Sequence, residues 1–298
     1  MADEGIQFYN RYTRQVETEA VYGEKWLKWT LCNPFGRLMM FLLAKRALFA
    51  RLYGWRMNSP SSTAKIQPFI EQYGIKADEH VKAVNEFASF NDFFYRKLKL
   101  EVRPVDAGES TVVFPADGRH MGFSDLSKID GVFIKGQQFD LTGLIGTELA
   151  EKYQAGSVVF SRLCPVDYHR FHFPFAGLPS AVRRVEGSLS SVNPLALRNC
   201  LSILWENRRF ITELETELLG TVLVLEIGAT NVGSVNQTYL AGQMVSKGEE
   251  KGYFAFGGSA VMVIFGPGRI QLDNDLLLHT SQRRELYAHV GDRMATID

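Results

Sequence analysis

The chain has 298 residues, of which 46% are hydrophobic and 22% are charged. This ordinary composition excludes an intrinsically disordered chain, a collagen-like fibre and a disulfide-dense secreted mini-protein. The 33 basic and 33 acidic side chains give a formal net charge of zero, so no nucleic-acid partner is expected.

The first predicted element is a basic and apolar segment at residues 25–56, which carries seven Lys and Arg side chains and no Asp or Glu. Asn33 followed by Pro34 is typical of a helix start, so a helix is predicted from about 34 to 55. Such a helix suits a lipid surface, where Lys and Arg reach phosphates. The basic positions do not share one helical face, so packing on the rest of the protein or on a dimer partner is an equal alternative.

No transmembrane helix is expected, because the longest apolar run, residues 38–44, is far shorter than the roughly 20 residues that span a bilayer. The three cysteines are far apart, and residues 1–20 show no signal-peptide pattern. These features indicate a reducing compartment.

The rest of the chain divides at Arg103-Pro104. Before it, short helices are predicted near 68–73, 79–87 and 91–98. After it, β-branched and aromatic segments bounded by turn residues predict strands at 111–114, 131–134, 157–160, 221–226 and 260–265, with helical patches at 146–153 and 194–205. We therefore predict an α+β protein, with a helical N-terminal region at 1–104 and a strand-rich mixed domain at 105–298.

Three clusters contain residues that could carry chemistry, and each has a plainer interpretation. Asp117 lies in an Asp-Gly dipeptide, which is common in hairpin turns. His169 and His172 have no Cys or carboxylate at zinc-site spacing, and residues three apart in a strand face opposite sides, so two different roles are expected. Ser259 follows Gly257-Gly258, a turn pattern that fits neither a nucleophile elbow nor a phosphate loop.

Together the clusters supply an acid, a base and a hydroxyl, the groups that activate a serine. They occur in order with further blocks at 91–98, 187–193 and 226–234. In this arrangement the chain resembles, nearly end to end, the phosphatidylserine decarboxylases, which are pyruvoyl-dependent membrane enzymes. The terminal motif of that family usually reads Leu-Gly-Ser-Thr, and here it is Gly257-Gly258-Ser259-Ala260. The cleavage position therefore transfers, whereas a role for the threonine hydroxyl does not.

The resemblance implies that the chain cleaves itself between Gly258 and Ser259 and converts Ser259 into a pyruvoyl group. This group decarboxylates phosphatidylserine to phosphatidylethanolamine through a Schiff base, without a metal or pyridoxal phosphate. In this scheme His172 accepts the Ser259 proton and Asp117 orients and charges the imidazole. His169 protonates the decarboxylated carbon, with His172 as the competing donor.

The resemblance also implies the partners of the mature enzyme. Two chains from one precursor, residues 1–258 and 259–298, stay packed together, and a homodimer is expected. Asn193 and Arg198 are weaker candidates for binding the headgroup. The diacyl substrate favours the membrane interpretation of residues 25–56, with the membrane surface as a partner and peripheral attachment to the cytoplasmic face of the cell membrane.

Two other functions stay open from the residues alone. A serine hydrolase could use Ser259, His172 and Asp117 without cleaving itself. Alternatively, a non-catalytic membrane-bound β-domain would use Gly257-Gly258-Ser259 only as a turn.

Overall fold

The computed structural model describes residues 6–19, 54–129, 139–190, 192, 197, 200–228, 235–255 and 259–297. Within these ranges the chain is a mixed α+β protein that is rich in strands and has only short helices. The strands form one ten-stranded sheet and two three-stranded sheets.

The large sheet has the spatial order β2-β1-β15-β4-β5-β13-β10-β9-β7, and β8 also pairs with β9. Neighbouring strands run antiparallel except β1 and β15, which are parallel. In chain order its strands are β1 (Gln7–Asn10), β2 (Gln15–Thr18), β4 (Gly118–Phe123), β5 (Ser157–Leu163), β7 (Leu178–Pro179), β8 (Arg183–Val185), β9 (Arg209–Thr216), β10 (Gly220–Ile227), β13 (Ser259–Phe265) and β15 (Glu285–Ala288).

The two small sheets have the orders β11-β12-β6 and β14-β16-β3. Their strands are β3 (Thr111–Val113), β6 (Arg170–His172), β11 (Val235–Gln237), β12 (Glu250–Phe254), β14 (Ile270–Leu272) and β16 (Arg293–Ile297). The α-helices are α1 (Ile66–Tyr73), α2 (Phe90–Phe94), α3 (Leu141–Ile145), α4 (Thr147–Tyr153), α5 (Ile203–Glu206) and α6 (Asn274–Ser281). Residues 54–58 are also helical.

The central strand β13 shows why the large sheet is buried on both faces. All seven of its residues are buried. Val261, Val263 and Phe265 pack into one hydrophobic cluster, whereas Ala260 and Met262 pack into another. Successive side chains of a strand point to opposite faces, so an uninterrupted apolar run is what a strand between two cores requires.

Several predicted elements are confirmed within the described residues. Helix α1 ends at Gly74, whose φ of 63° is left-handed, as expected of a glycine at a helix end. The predicted strands near 111, 157, 221 and 260 and the helix near 147 are all present.

Two predicted helices differ from the structure. Residues 79–87 form only single turns of 3-10 helix, because the backbone of His80 bridges to Leu98 and is extended there. Helix α2 is capped by Ser89, whose hydroxyl accepts from the Asp92 amide, and not by Asn91. The Asn91 amide nitrogen instead donates to Asn58, so tertiary contacts decide both outcomes.

The start of the chain holds an element that the sequence did not reveal. Strands β1 and β2 form a hairpin that joins the large sheet through β15. Residues 20–53, most of the predicted basic helix, lie outside the described residues, and so does the predicted strand at 131–134. Among the described helices, none is long and apolar enough to cross a bilayer. The division at residue 104 stays a prediction.

Candidate active site

Ser259 is the first residue of β13, at the end of the strand where several polar loops meet. It pairs with Leu163 of β5, and Ile227 of β10 pairs with the following residue, Ala260. The side chain is fully buried, and its Oγ has no hydrogen-bond partner among the described residues. A buried hydroxyl without a partner costs stability, so its retention points to a chemical role.

His172 ends β6, in the small sheet beside the large one. Its amide donates to the Pro115 carbonyl at 2.7 Å, which places it next to the segment that leads into Asp117. Its ring Nδ1 lies 2.9 Å from the Gly248 carbonyl oxygen. A carbonyl only accepts, so Nδ1 carries the proton and Nε2 has the free lone pair. Nε2 is buried and has no hydrogen-bond partner in the described part of the chain.

Burial lowers the pKa of His172 below its ordinary value, and the hydrogen bond to Gly248 and the charges of Glu250 and Asp117 partly oppose this shift. The imidazole is therefore neutral at physiological pH. A neutral ring with an unpartnered Nε2 can accept a proton, as the proposed cleavage of the chain requires.

Asp117 immediately precedes β4, and its carboxylate does not hydrogen-bond to His172. Its two oxygens accept from Arg103 at 2.7 to 3.1 Å and from the Val290 amide at 2.9 Å. The predicted contact between Asp117 and the His172 imidazole is thus absent, and the Gly248 carbonyl orients the ring instead. The Asp117 charge still acts on His172 through space.

Asp117 and Ser259 flank the same end of β5. The register of β4 places Arg119 opposite Arg162, so Asp117 lies beside the residue that follows Leu163. Ser259 pairs with Leu163 from the other side. Two interstrand spacings separate their backbones by about 10 Å.

His169 lies three residues before His172 and is fully buried. Its Nδ1 lies 3.0 Å from the Asp167 carbonyl oxygen, and its ring is 3.9 Å from that of Phe94. The Asp167 carboxylate accepts from Arg119 and from the Cys164 amide. The turn that carries His169 is therefore held by a buried ion pair with β4, a contact that the sequence did not reveal.

The glycine-rich blocks at 187–193 and 226–234 converge through Asn207, another residue that sequence reasoning missed. The fully buried Asn207 side chain accepts from the Ser188 hydroxyl and the Ser190 amide, and it donates to the carbonyls of Ser190 and Gly228. Gly228 directly follows β10 beside the start of β13. Asn207 follows the predicted helical patch at 194–205, and a lone Asn there carries no local signal for this role.

The other predicted site residues fall outside the described part of the chain. Gly258, Asn193 and Arg198 belong to this group, so the structure does not test them. Among the described residues, no cluster of His, Cys, Asp and Glu could hold a metal ion.

The fold and this centre describe an α+β protein with a buried serine on its large sheet and a neutral, buried histidine on a smaller one. The profile of the phosphatidylserine decarboxylase family matches residues 90–293. A phosphatidylserine decarboxylase proenzyme of Chlamydia pneumoniae is 42% identical over 97% of this chain and 96% of its own length. Proenzymes of the same name from Fusobacterium nucleatum and Clostridium kluyveri are 40% and 41% identical, over 97% and 96% of this chain and 97% of their own lengths.

The chain therefore belongs to the phosphatidylserine decarboxylase family, as its motifs predict. It is a decarboxylase, a lyase.

Proposed function

We propose that this protein is a self-processing, pyruvoyl-dependent enzyme that decarboxylates phosphatidylserine to phosphatidylethanolamine. The observation that carries the proposal is the buried, unpartnered hydroxyl of Ser259 at the head of β13. The predicted cleavage site directly precedes this residue, and the relatives are named proenzymes. An orphaned serine at a new N-terminus fits a residue that is consumed to make the pyruvoyl group.

Processing begins with a proton transfer from Ser259 Oγ to Nε2 of His172. The oxygen attacks the Gly258 carbonyl carbon. His172 then returns the proton to the nitrogen of residue 259, and the peptide C–N bond breaks to leave an ester and a free amine. Loss of the Cα proton of residue 259 then expels the Gly258 carboxylate and leaves a dehydroalanine. Water converts the dehydroalanine to a keto group and releases ammonia.

The pyruvoyl group supplies an electron sink for the electron pair that carbon dioxide leaves behind. The protein itself must exclude water and deliver one proton. We assign this proton to His169, which is buried and held in orientation by the Asp167 carbonyl. His172 remains the alternative donor.

The membrane part of the proposal rests on composition. Seven cationic side chains in residues 25–56 would each add about 1 kcal/mol of attraction to an anionic leaflet. We propose peripheral attachment at the cytoplasmic face of the cell membrane, with the α and β chains of one precursor packed together and two such pairs in a homodimer. The helical character of the membrane-associating segment belongs to the same proposal.

A denaturing gel with intact masses tests the central claim. The wild-type protein should give chains 1–258 and 259–298, the smaller one with a keto group at its N-terminus, and should release carbon dioxide from phosphatidylserine vesicles. Ser259→Ala should stay uncleaved and inactive, and His172→Ala should stay uncleaved. An active wild-type protein with an intact backbone would refute self-processing and favour a serine hydrolase type of site.

His169→Ala separates the two histidine roles. This variant should cleave normally and turn over much more slowly, because the proton-donating residue is lost after the pyruvoyl group has formed. Normal turnover by the cleaved variant would remove His169 from the mechanism.

A further inference from the structure

Arg96, just after α2, is a buried cation that has no carboxylate partner within the part of the chain that the structure describes. Arg96 is only 5% exposed to solvent. Its Nη2 makes long contacts with the carbonyl oxygens of Val166 at 3.3 Å and Asp167 at 3.4 Å, and its guanidinium carbon lies 5.0 Å from the centre of the Phe93 ring. Its Nε and Nη1 have no hydrogen-bond partner among the described residues.

Other arginines near the site differ in this respect. The buried Arg119, Arg162 and Arg170 and the partly buried Arg103 each form an ion pair with at least one carboxylate. Arg209 of β9 has no carboxylate partner among the described residues, but it donates from all three nitrogens to backbone carbonyls. Arg96 has neither arrangement, and burial lowers its pKa to about 10. Burying an unpaired guanidinium destabilises a fold, so such a group is kept where something else pairs with it.

The position of Arg96 points to the reaction centre. The same Asp167 carbonyl oxygen that receives Arg96 Nη2 also lies 3.0 Å from Nδ1 of His169. The charges of Asp117 and Asp167 both act on Arg96, but Arg103 and Arg119 occupy those carboxylates. A guanidinium with three unused N–H donors next to the predicted proton donor is suited to an oxyanion.

We propose that Arg96 binds the phosphodiester of the lipid headgroup. This inference rests on the proposed function, which supplies a substrate with two anionic groups, a carboxylate and a phosphodiester. A guanidinium on the carboxylate would stabilise the group that must leave as neutral carbon dioxide, and would therefore slow the reaction. The phosphodiester keeps its charge from substrate to product, so holding it anchors the headgroup without opposing the chemistry.

Binding to the processed enzyme tests the assignment without turnover. Two soluble probes lack a free amine and so cannot condense with a ketone: sn-glycero-3-phosphocholine carries the phosphodiester, and N-acetyl-L-serine carries the carboxylate. Calorimetry should show that Arg96→Met lowers the affinity for the phosphodiester probe about tenfold or more. This is the loss expected when a charge-assisted hydrogen bond is removed. Arg96→Lys should recover part of this affinity, and the carboxylate probe should be unaffected. In turnover assays Arg96→Met should raise KM while kcat changes little.

Stability distinguishes binding from a structural role. Arg96→Met removes an unpaired buried charge, so its melting temperature should equal or exceed that of the wild type. The matched control Arg209→Met strips hydrogen bonds from carbonyls in the same protein, so it should melt lower and bind both probes normally. Cleavage at residue 258 verifies that each variant folds.

Three results would overturn the inference. The first is equal binding of the phosphodiester probe by the wild type and Arg96→Met, including no binding by either. The second is that Arg96→Met loses binding of the carboxylate probe only. The third is that Arg96→Met melts at a lower temperature than the wild type and binds both probes with unchanged affinity. A wild-type chain that fails to cleave would instead contradict the proposed function, so the two failures are distinguishable.

Discussion

The Nδ1 atom of His172 lies 2.9 Å from the carbonyl oxygen of Gly248, and this contact determines which ring nitrogen can act as a base. The carbonyl holds the proton on Nδ1 and leaves Nε2 free to accept. Gly248 lies in the turn that precedes β12 and carries no catalytic signal in the sequence. The contact nevertheless does the orienting that the sequence assigned to Asp117.

The first prediction concerns pH. Burial lowers the pKa of His172, so the neutral base persists below pH 6.5, where an ordinary histidine would be half protonated. The rate of self-cleavage of freshly synthesised precursor should therefore fall by less than half from pH 8 to pH 6.5 and continue to fall at lower pH. A time course of cleavage on gels at each pH measures this. Halving of the rate at pH 6.5 would show that His172 titrates normally or is not the base.

The second prediction tests the Gly248 carbonyl. Gly248 has a φ of 77°, and a Cβ there would lie 2.5 Å from a methyl carbon of Val105. Gly248→Ala should shift this backbone, disturb the carbonyl and slow self-cleavage. Gly220→Ala is the matched control, because Gly220 has a φ of 68° and open space around it.

Both glycine variants should lose about 1–2 kcal/mol of unfolding free energy from the left-handed backbone alone. Only Gly248→Ala should also cleave slowly. Equal cleavage rates in the two variants would mean that the position of the carbonyl does not matter.

The third prediction separates two roles of Asp117. Its carboxylate is buried and paired with Arg103 at 2.7 Å. Arg103→Met leaves the buried carboxylate without its cation and should lower the unfolding free energy by about 3 kcal/mol or more. Asp117→Asn should cost less, because Arg103 keeps Glu79 at 3.4 Å. Denaturant unfolding of the uncleavable Ser259→Ala chain measures this without interference from processing.

Cleavage rates then identify the role of the charge. If the Asp117 charge assists His172, Asp117→Asn should cleave more slowly than Arg103→Met, although it loses less stability. Equal rates would reduce Asp117 to a structural partner of Arg103.

The sequence predicts what is local and misses what depends on tertiary contacts. The apolar run at 260–265 and the helix stop at Gly74 follow from periodicity and backbone freedom, and both are present. The hairpin at Gln7–Thr18 has short polar strands, and its pairing partner, β15, lies more than 260 residues further along the chain. No local pattern reports such a contact.

The same distinction between local pattern and tertiary contact applies to the candidate site. Motif order is enough to select Asp117, His169, His172 and Ser259 as candidates. It does not reveal that Asp117 faces Arg103, because both lie in turns whose approach is decided by the packing of β15 and β4. The unpaired state of Arg96 likewise follows only from the buried surroundings that the fold creates.

The last prediction concerns the link between the two sheets that carry the site. Glu226 of β10 and Lys251 of β12 form a fully buried ion pair at 2.7 Å, and Gln237 bonds to both side chains. Strand β12 pairs with β6, which carries His172, whereas β10 pairs with β13, which carries Ser259. The pair therefore connects the sheet of the base to the sheet of the nucleophile.

Lys251→Met should lower the unfolding free energy by about 3–5 kcal/mol, because it leaves a buried carboxylate without its cation. The double variant Glu226→Leu with Lys251→Met should recover most of this loss, since apolar groups of similar volume often replace a buried pair at little cost. The exposed pair Arg184 and Glu186 is the control, and its removal should change stability by at most about 1 kcal/mol.

The decisive measurement is the self-cleavage rate of the stable double variant. An ion pair has a preferred geometry, whereas apolar contacts do not. The relative position of the two sheets should therefore be less well defined in the double variant, which should cleave more slowly than the wild type at equal stability. Cleavage at the wild-type rate would show that the pair only fills space between the sheets, and that the alignment of His172 with Ser259 is fixed by the surrounding hydrophobic core.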